Sequence, residues 1–145
     1  MKSKYIIGII ALVTVIGFLM TACDDSSPDP NAPVIDDFIS VSQVNHGARI
    51  WSEETSFAVG SRAFFAVKIR DADGDWDFMI LTCRHSVAGT VTYRLDVSNI
   101  YGYESTTWIN TDYVYFDGRN TFEIYAVDRS GNRSNTKTIT VTGVN

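Results

Sequence analysis

The sequence predicts an all-β protein, an antiparallel sandwich of seven strands that follows an apolar N-terminal segment. Three observations predict it. Apolar and polar residues alternate with a period of two through most of residues 34–145, which is typical of strands that bury one face. Turn sequences rich in glycine and aspartate separate these runs. After residue 33, no run of ten or more residues has helical periodicity.

Length and composition indicate one globular domain with a targeting segment. The chain has 145 residues, of which 45% are apolar and 20% charged, so it can bury a core. Its formal net charge is −5 and it contains no run of lysines or arginines. Because phosphate binding needs clustered positive charge, we expect no nucleic-acid partner.

The N-terminal segment has the pattern of a secretory signal. Lys2 and Lys4 precede an almost wholly apolar stretch at 5–20, and Met20-Thr21-Ala22 leads directly into Cys23. An aliphatic residue and two small residues before a cysteine resemble the lipobox of bacterial lipoproteins, although methionine stands where leucine is usual. The resemblance implies a signal peptide at 1–22, a lipidated Cys23 and a membrane anchor.

An uncleaved transmembrane helix is the alternative for this segment, although its apolar stretch is short for crossing a bilayer. Both interpretations place the domain in the cell envelope, outside the cytoplasmic membrane, because the N-terminal positive charge stays inside. Which membrane holds the anchor stays open. Residues 24–33, DDSSPDPNAP, are predicted to be a flexible linker, so that the lipidated cysteine and linker together span 23–33.

The strands follow from the alternation, taken in order. In 90–98, for example, Val91, Tyr93 and Leu95 alternate with polar residues. The predicted strands are 34–44, 62–70, 77–85, 90–98, 106–116, 120–128 and 135–143. The third is apolar on both faces at its start, which indicates a central strand. It contains Cys83, which has no intrachain disulfide partner if Cys23 is lipidated and which we expect in the core.

The combination VGS…FFAVKIRDADGD…FEIYAVDRSGNRSNTKTITVT resembles bacterial immunoglobulin-like and fibronectin type III-like surface domains. The resemblance covers 34–145 and implies an immunoglobulin-like β-sandwich. Its motifs are strand and turn patterns, so they speak for the fold more than for a function. The cysteine pair of antibody domains is absent from the sequence.

The stretch DADGDWD puts four aspartates on alternate positions of residues 71–77. In the expected sandwich this loop shares one end of the domain with the loop at 128–132 and with the start of the first strand. Converging carboxylates suit Ca²⁺, which takes six to eight oxygen ligands. The candidate ligands are Asp71, Asp73, Asp75, Asp128 and Asp37. A solvated turn is the first interpretation, because aspartate and glycine are turn residues, and a Ca²⁺ site is the second. The spacing does not match an EF-hand, and no other cofactor is predicted.

The stretch IYGYESTTWINTDYVYF at 100–116 is rich in aromatic residues. With Val114 and Phe116 in the core, Tyr113 and Tyr115 are expected side by side on the surface. Adjacent aromatics can stack on a sugar or anchor a protein partner, whereas cross-strand packing is the simpler explanation. The candidate binding residues are Tyr113, Tyr115, Trp108, Tyr101 and Tyr103.

No catalytic motif is evident, so we expect no enzyme. Cys83 and His85 lie two residues apart on one predicted strand, but no third orienting group accompanies them. The predicted function is a cell-envelope lipoprotein whose non-catalytic domain binds a protein or glycan partner. The alternatives are a structural or accessory lipoprotein that acts as a spacer in an envelope complex and, as a minority hypothesis, a small hydrolase.

Overall fold

The computed structural model describes residues 30–96 and 104–145. The predicted signal segment, Cys23, most of the linker, Tyr101 and Tyr103 lie outside these ranges. In chain order the elements are β1 Val34–Val41, α1 Gln43–Ala48, β2 Ser56–Ala58, β3 Arg62–Arg70, β4 Trp76–His85, β5 Gly89–Asp96, β6 Glu104–Val114, β7 Gly118–Asp128 and β8 Lys137–Val144. None of the helical residues in the described ranges forms a helix that is long and apolar enough to cross a membrane.

The strands form two sheets, which confirms the predicted all-β sandwich. One sheet has the order β1–β3–β6 and the other has the order β2–β8–β7–β4–β5. Within the immunoglobulin-like arrangement, β5 joins the sheet of β4 and does not pair with β6. The sequence pattern did not predict the short strand β2, which pairs parallel with β8, so the structure has eight strands where seven were predicted.

The first predicted strand, 34–44, is shorter in the structure because it ends at Val41. Ser42 caps the N-terminus of α1 by accepting a hydrogen bond from the Asn45 backbone N–H. This six-residue helix is too short to produce the long helical period that sequence analysis looks for. The segment between β1 and β2 therefore leaves one sheet and joins the other.

The core lies between the two sheets and is built by the alternation of the sequence. Phe65 and Val67 of β3 and Phe122 and Ile124 of β7 are fully buried. β4 lies between β7 and β5, as expected for a central strand. Its register shifts near Trp76, and Trp76, Met79, Leu81 and Cys83 all belong to the same core cluster.

Candidate calcium site

The acidic loop, residues 71–75, connects β3 of one sheet with β4 of the other, so it crosses one end of the sandwich. Gly74 has a φ of 69°, a conformation that glycine adopts without steric cost. Asp71 continues the inward alternation of Phe65, Val67 and Ile69 and is only 2% exposed. The local sequence thus makes a turn and, at the same time, buries its first carboxylate.

Three carboxylates of the acidic loop converge. One oxygen each from Asp71, Asp73 and Asp75 lies within 4.8 Å of the other two. Neither oxygen of Asp71, nor Oδ1 of Asp75, accepts a hydrogen bond of good geometry from the described residues. Since burying a charge without a partner is costly, this arrangement is suited to a positively charged ligand.

The electrostatics of the loop agree with its geometry. Burial, followed by the neighbouring Asp73 carboxyl, raises the pKa of Asp71 to about 6. Burial and then the Asp73 charge also raise the pKa of Asp75. The Trp76 backbone N–H offsets part of the first effect and the Arg129 guanidinium part of the second. A raised pKa means that the ionised carboxylate lacks stabilisation, which a divalent cation would supply.

Asp128 lies next to the acidic loop but is not one of the three converging carboxylates. Its oxygens accept hydrogen bonds from the Asn132 backbone N–H at 2.7 Å and from Asn132 Nδ2 at 2.8 Å. The Arg129 N–H donates to the Asp75 carbonyl at 3.1 Å, and the charge of Asp128 contributes to the raised pKa of Asp75. The two loops therefore meet as predicted, with Asp128 supporting the neighbouring turn.

Asp37 does not join the cluster, contrary to the predicted set of ligands. The register of β1 shifts between Ile35 and Asp37, and Asp37 pairs with Lys68 of β3. Its Oδ1 accepts a hydrogen bond from the Phe38 N–H at 2.9 Å. The adjacent Asp36 is bound by Arg70 through two hydrogen bonds of 2.6 and 2.8 Å.

The donor set of the acidic loop selects the kind of cation. It offers carboxylate oxygens and backbone carbonyls, without histidine or thiolate, which suits a hard ion such as Ca²⁺. Three carboxylates supply about half of the six to eight oxygens that Ca²⁺ takes, so carbonyls and water have to complete the shell. Both sequence-based interpretations of the loop are thereby compatible: it is a turn, and its carboxylates point together.

The predicted aromatic surface is wrong in its assignment of faces. Tyr113 is 4% exposed and Tyr115 is fully buried, whereas Val114 lies on the outer side. The Tyr113 hydroxyl donates to Asn120 Oδ1 at 3.0 Å, and the Tyr115 hydroxyl hydrogen bonds with Ser40 Oγ at 2.5 Å. Because internal partners satisfy both hydroxyl groups, the tyrosines can occupy the core.

Trp108 is the described member of the predicted aromatic set that reaches the outer surface. It lies on the outer face of the β1–β3–β6 sheet and is half-buried. Trp51, which the sequence analysis did not single out, packs edge-on against it with ring centroids 6.1 Å apart. A tryptophan within the polar stretch 51–55 was the available signal for this residue.

Cys83 and His85 do not form an activated nucleophile. Burial raises the pKa of the Cys83 thiol to about 12, which keeps it protonated. His85 Nδ1 accepts hydrogen bonds from the Val87 and Ala88 N–H groups at 3.2 Å, and Nε2 lies 3.0 Å from the Asp117 carbonyl. The imidazole is therefore engaged in holding the turn that follows β4.

Comparisons with known proteins add little to this description. No protein-family model matches the chain, and no curated protein matches it. Among solved structures, the PKD domain of an M14-like peptidase from Thermoplasmatales archaeon SCGC AB-540-F20 is similar, with a TM-score of 0.49 and 16% identity. The match covers 79% of this chain and 97% of that domain. This similarity carries no information about the acidic loop.

Proposed function

We propose that this protein is a lipid-anchored protein of the cell envelope whose sandwich is a non-catalytic binding module that holds Ca²⁺ at the acidic loop. The sequence supports the anchor through Lys2 and Lys4, the apolar stretch and Cys23. The immunoglobulin-like sandwich supports a module that presents surfaces to a protein or glycan partner.

One observation carries the calcium proposal. Asp71 is 98% buried, neither of its oxygens accepts a good hydrogen bond among the described residues, and it lies within ligand distance of Asp73 and Asp75. A solvated turn needs no buried, unpaired carboxylate. A bound cation would compensate the cost of burying this charge.

The position of the loop suggests what the cation does. Val34 opens β1 and pairs with Arg70, the residue before Asp71. Asn135 fixes the same region by bonding the Ile35 N–H at 2.8 Å and the Ile35 carbonyl at 3.0 Å. The proposed linker thus enters beside the acidic loop, and a cation there stiffens the junction between domain and tether.

Extracellular calcium modules with few protein ligands bind with a Kd on the order of 10⁻⁴ to 10⁻³ M. We expect the same range here, because only three carboxylates converge. Such an affinity keeps the site filled outside the cell and empties it during passage through the cytoplasm.

Thermal unfolding and calorimetry of the full chain in mild detergent test the calcium proposal. Millimolar Ca²⁺ is expected to raise Tm by several degrees relative to chelator, since a ligand of the folded state stabilises by mass action. Asp73→Asn, at an exposed position, is expected to abolish the shift. Asp77→Asn is the matched control, because Asp77 is half-exposed and outside the cluster. An unchanged Tm in the wild type, or an equal shift in Asp73→Asn, contradicts the proposal.

A separate experiment tests the anchor. Cells grown with labelled palmitate are expected to incorporate label into the wild-type protein and not into Cys23→Ser. Cys83→Ser controls for non-specific acylation, since Cys83 is buried. Equal labelling of wild type and Cys23→Ser would exclude the lipidated cysteine and leave the transmembrane alternative.

A further inference from the structure

A second apolar cluster lies outside the sandwich core, on the outer face of the β1–β3–β6 sheet. It consists of the buried residues Ile39, Val41, Phe64 and Ala66, with Trp108 packed against them. Residues 42–55, which connect β1 with β2, fold back over this face. We call these residues the cover segment.

Specific contacts fix the cover segment to the sheet. The His46 ring stacks on Phe64 with centroids 4.4 Å apart, and the Glu54 N–H donates to the Ser40 carbonyl at 2.9 Å. Glu54 Oε1 also accepts hydrogen bonds from the Ser42 N–H at 3.1 Å and from Asn45 Nδ2 at 2.8 Å. The segment is therefore held at both ends, which gives the side chains between them defined positions.

A pocket of about 480 Å³ lies where the cover segment meets the sheet. Trp51 and Trp108 line it with their ring planes at 76°. Arg49, Lys68 and Thr106 complete its wall. The guanidinium carbon of Arg49 lies 5.5 Å from the centre of the Trp108 ring, and Trp51 is 39% exposed. The volume lies within the range of small-ligand sites.

The two cations of the pocket are available to a ligand. Neither Arg49 nor Lys68 forms an ion pair with a carboxylate in the described part of the chain. Asp37 is opposite Lys68 in the register, but no ion pair joins them. Asp36 is held by Arg70. This local positive charge contrasts with the net charge of −5 of the whole chain.

We propose that this pocket binds an acidic saccharide, a glycan whose pyranose rings carry carboxylate groups. The apolar C–H face of a pyranose packs on an indole ring, and a carboxylate forms charge-assisted hydrogen bonds with Arg49 and Lys68. Thr106 adds a hydroxyl group for a sugar hydroxyl. Two indoles and two unpaired cations around one cavity match a ligand that is both flat and anionic.

An acidic peptide is the competing ligand, and the geometry favours it less. Peptide recognition draws on backbone hydrogen bonds along a strand edge or on an apolar groove for a helix. The pocket lies on the face of a sheet and is lined by side chains. The saccharide site goes beyond the calcium proposal and does not depend on it, because no residue of the pocket belongs to the acidic loop.

Titration of the full chain in mild detergent, followed by tryptophan fluorescence and calorimetry, tests the saccharide site. The probes are a galacturonic acid trisaccharide, its neutral galactose analogue and a glutamate hexapeptide, all near physiological salt. We expect saturable binding of the acidic saccharide and at least about tenfold weaker binding of the neutral one, the loss of one charge-assisted contact being about 1.4 kcal/mol or more.

Variants locate the binding. Lys68→Gln and Trp51→Ala change exposed side chains, and each is expected to weaken acidic-saccharide binding at least about tenfold, while Trp51→Phe retains part of it. Arg119→Gln, an exposed cation outside the pocket, is the matched control and is expected to bind like the wild type. Chelator and Asp71→Asn are expected to leave saccharide binding unchanged, which keeps this test separate from that of the calcium site.

Several outcomes would overturn the proposal. Tighter binding of the glutamate peptide assigns the pocket to an acidic protein partner. Equal binding of the neutral sugar removes the role of the two cations. No binding of any probe, or equal loss in Arg119→Gln and Lys68→Gln, means that the pocket is not a saccharide site.

Discussion

The carboxylates of Asp71 and Asp73 lie within 4.8 Å of each other, the first buried and the second exposed. Neither oxygen of Asp71 accepts a good hydrogen bond among the described residues, so the two charges repel at short range without compensation. The folded protein without a cation is therefore less stable than its packing allows. This stored repulsion is what Ca²⁺ would relieve.

Asp71→Asn follows from this relationship as the first prediction. In chelator, the amide removes the repulsion and the cost of burying a charge, so the free energy of unfolding is expected to rise by about 1–3 kcal/mol at pH 7. The same variant is expected to lose the calcium-dependent rise in Tm. Urea unfolding in chelator and in Ca²⁺ measures both. A variant that is less stable in chelator and still responds to Ca²⁺ would contradict the assignment.

The pKa of Asp71 also predicts a pH dependence in chelator. Its folded pKa of about 6 exceeds its ordinary value of 3.8, so between about pH 4 and 6 the folded state binds more protons than the unfolded state. The free energy of unfolding contributed by Asp71 is then full below about pH 4 and is lost as the pH rises through 6. Urea unfolding across this window, wild type minus Asp71→Asn, is expected to show a falling difference.

Subtracting the variant matters because other carboxylates act in the opposite direction. The hydrogen bonds from Arg70 lower the pKa of Asp36, so the stability that it contributes is lost as the pH falls. A difference between wild type and variant that is flat from pH 4 to 7 would show that the pKa of Asp71 is not raised.

The sequence predicted the sandwich because alternation reports directly which side of a strand is buried. It failed at residues 113–116, where all four side chains suit a strand and either face could be the core. The outcome depends on partners distant in sequence, Ser40 and Asn120. The same reason explains why Trp51 was missed, since the contact with Trp108 joins segments 57 residues apart along the chain. The acidic loop was visible as a motif, but the burial of Asp71 follows from the crossing between sheets.

Asn120 carries the next prediction, because it satisfies four hydrogen bonds while fully buried. Its Oδ1 accepts from the Tyr113 hydroxyl and the Phe116 N–H, and its Nδ2 donates to the Phe116 and Gly118 carbonyls, all at 2.8–3.1 Å. Asn120→Ala leaves these groups without their partner and is expected to cost about 2–4 kcal/mol. Asn120→Asp is expected to cost at least as much, since a carboxylate cannot donate to either carbonyl.

Chemical unfolding of these Asn120 variants is compared with Asn110→Ala, which changes an exposed asparagine on β6. That control is expected to lie within about 0.5 kcal/mol of the wild type. A similarly small effect of Asn120→Ala would show that the turn between β6 and β7 does not need this side chain.

Two glycines provide the last prediction, with effects of opposite sign. A Cβ on Gly143 of β8 would lie 2.0 Å from the Phe116 carbonyl oxygen, so Gly143→Ala forces the backbones of β8 and the β6–β7 turn apart and is expected to cost about 1–3 kcal/mol or more. Gly47 of α1 has nothing within 4 Å of its Cβ position, and Gly47→Ala is expected to stabilise by about 0.5–1 kcal/mol through helix propensity. Urea unfolding of both variants measures the difference. If Gly47→Ala destabilises the protein, α1 does not form in solution, and the wall that Arg49 and Trp51 provide for the saccharide pocket loses its support.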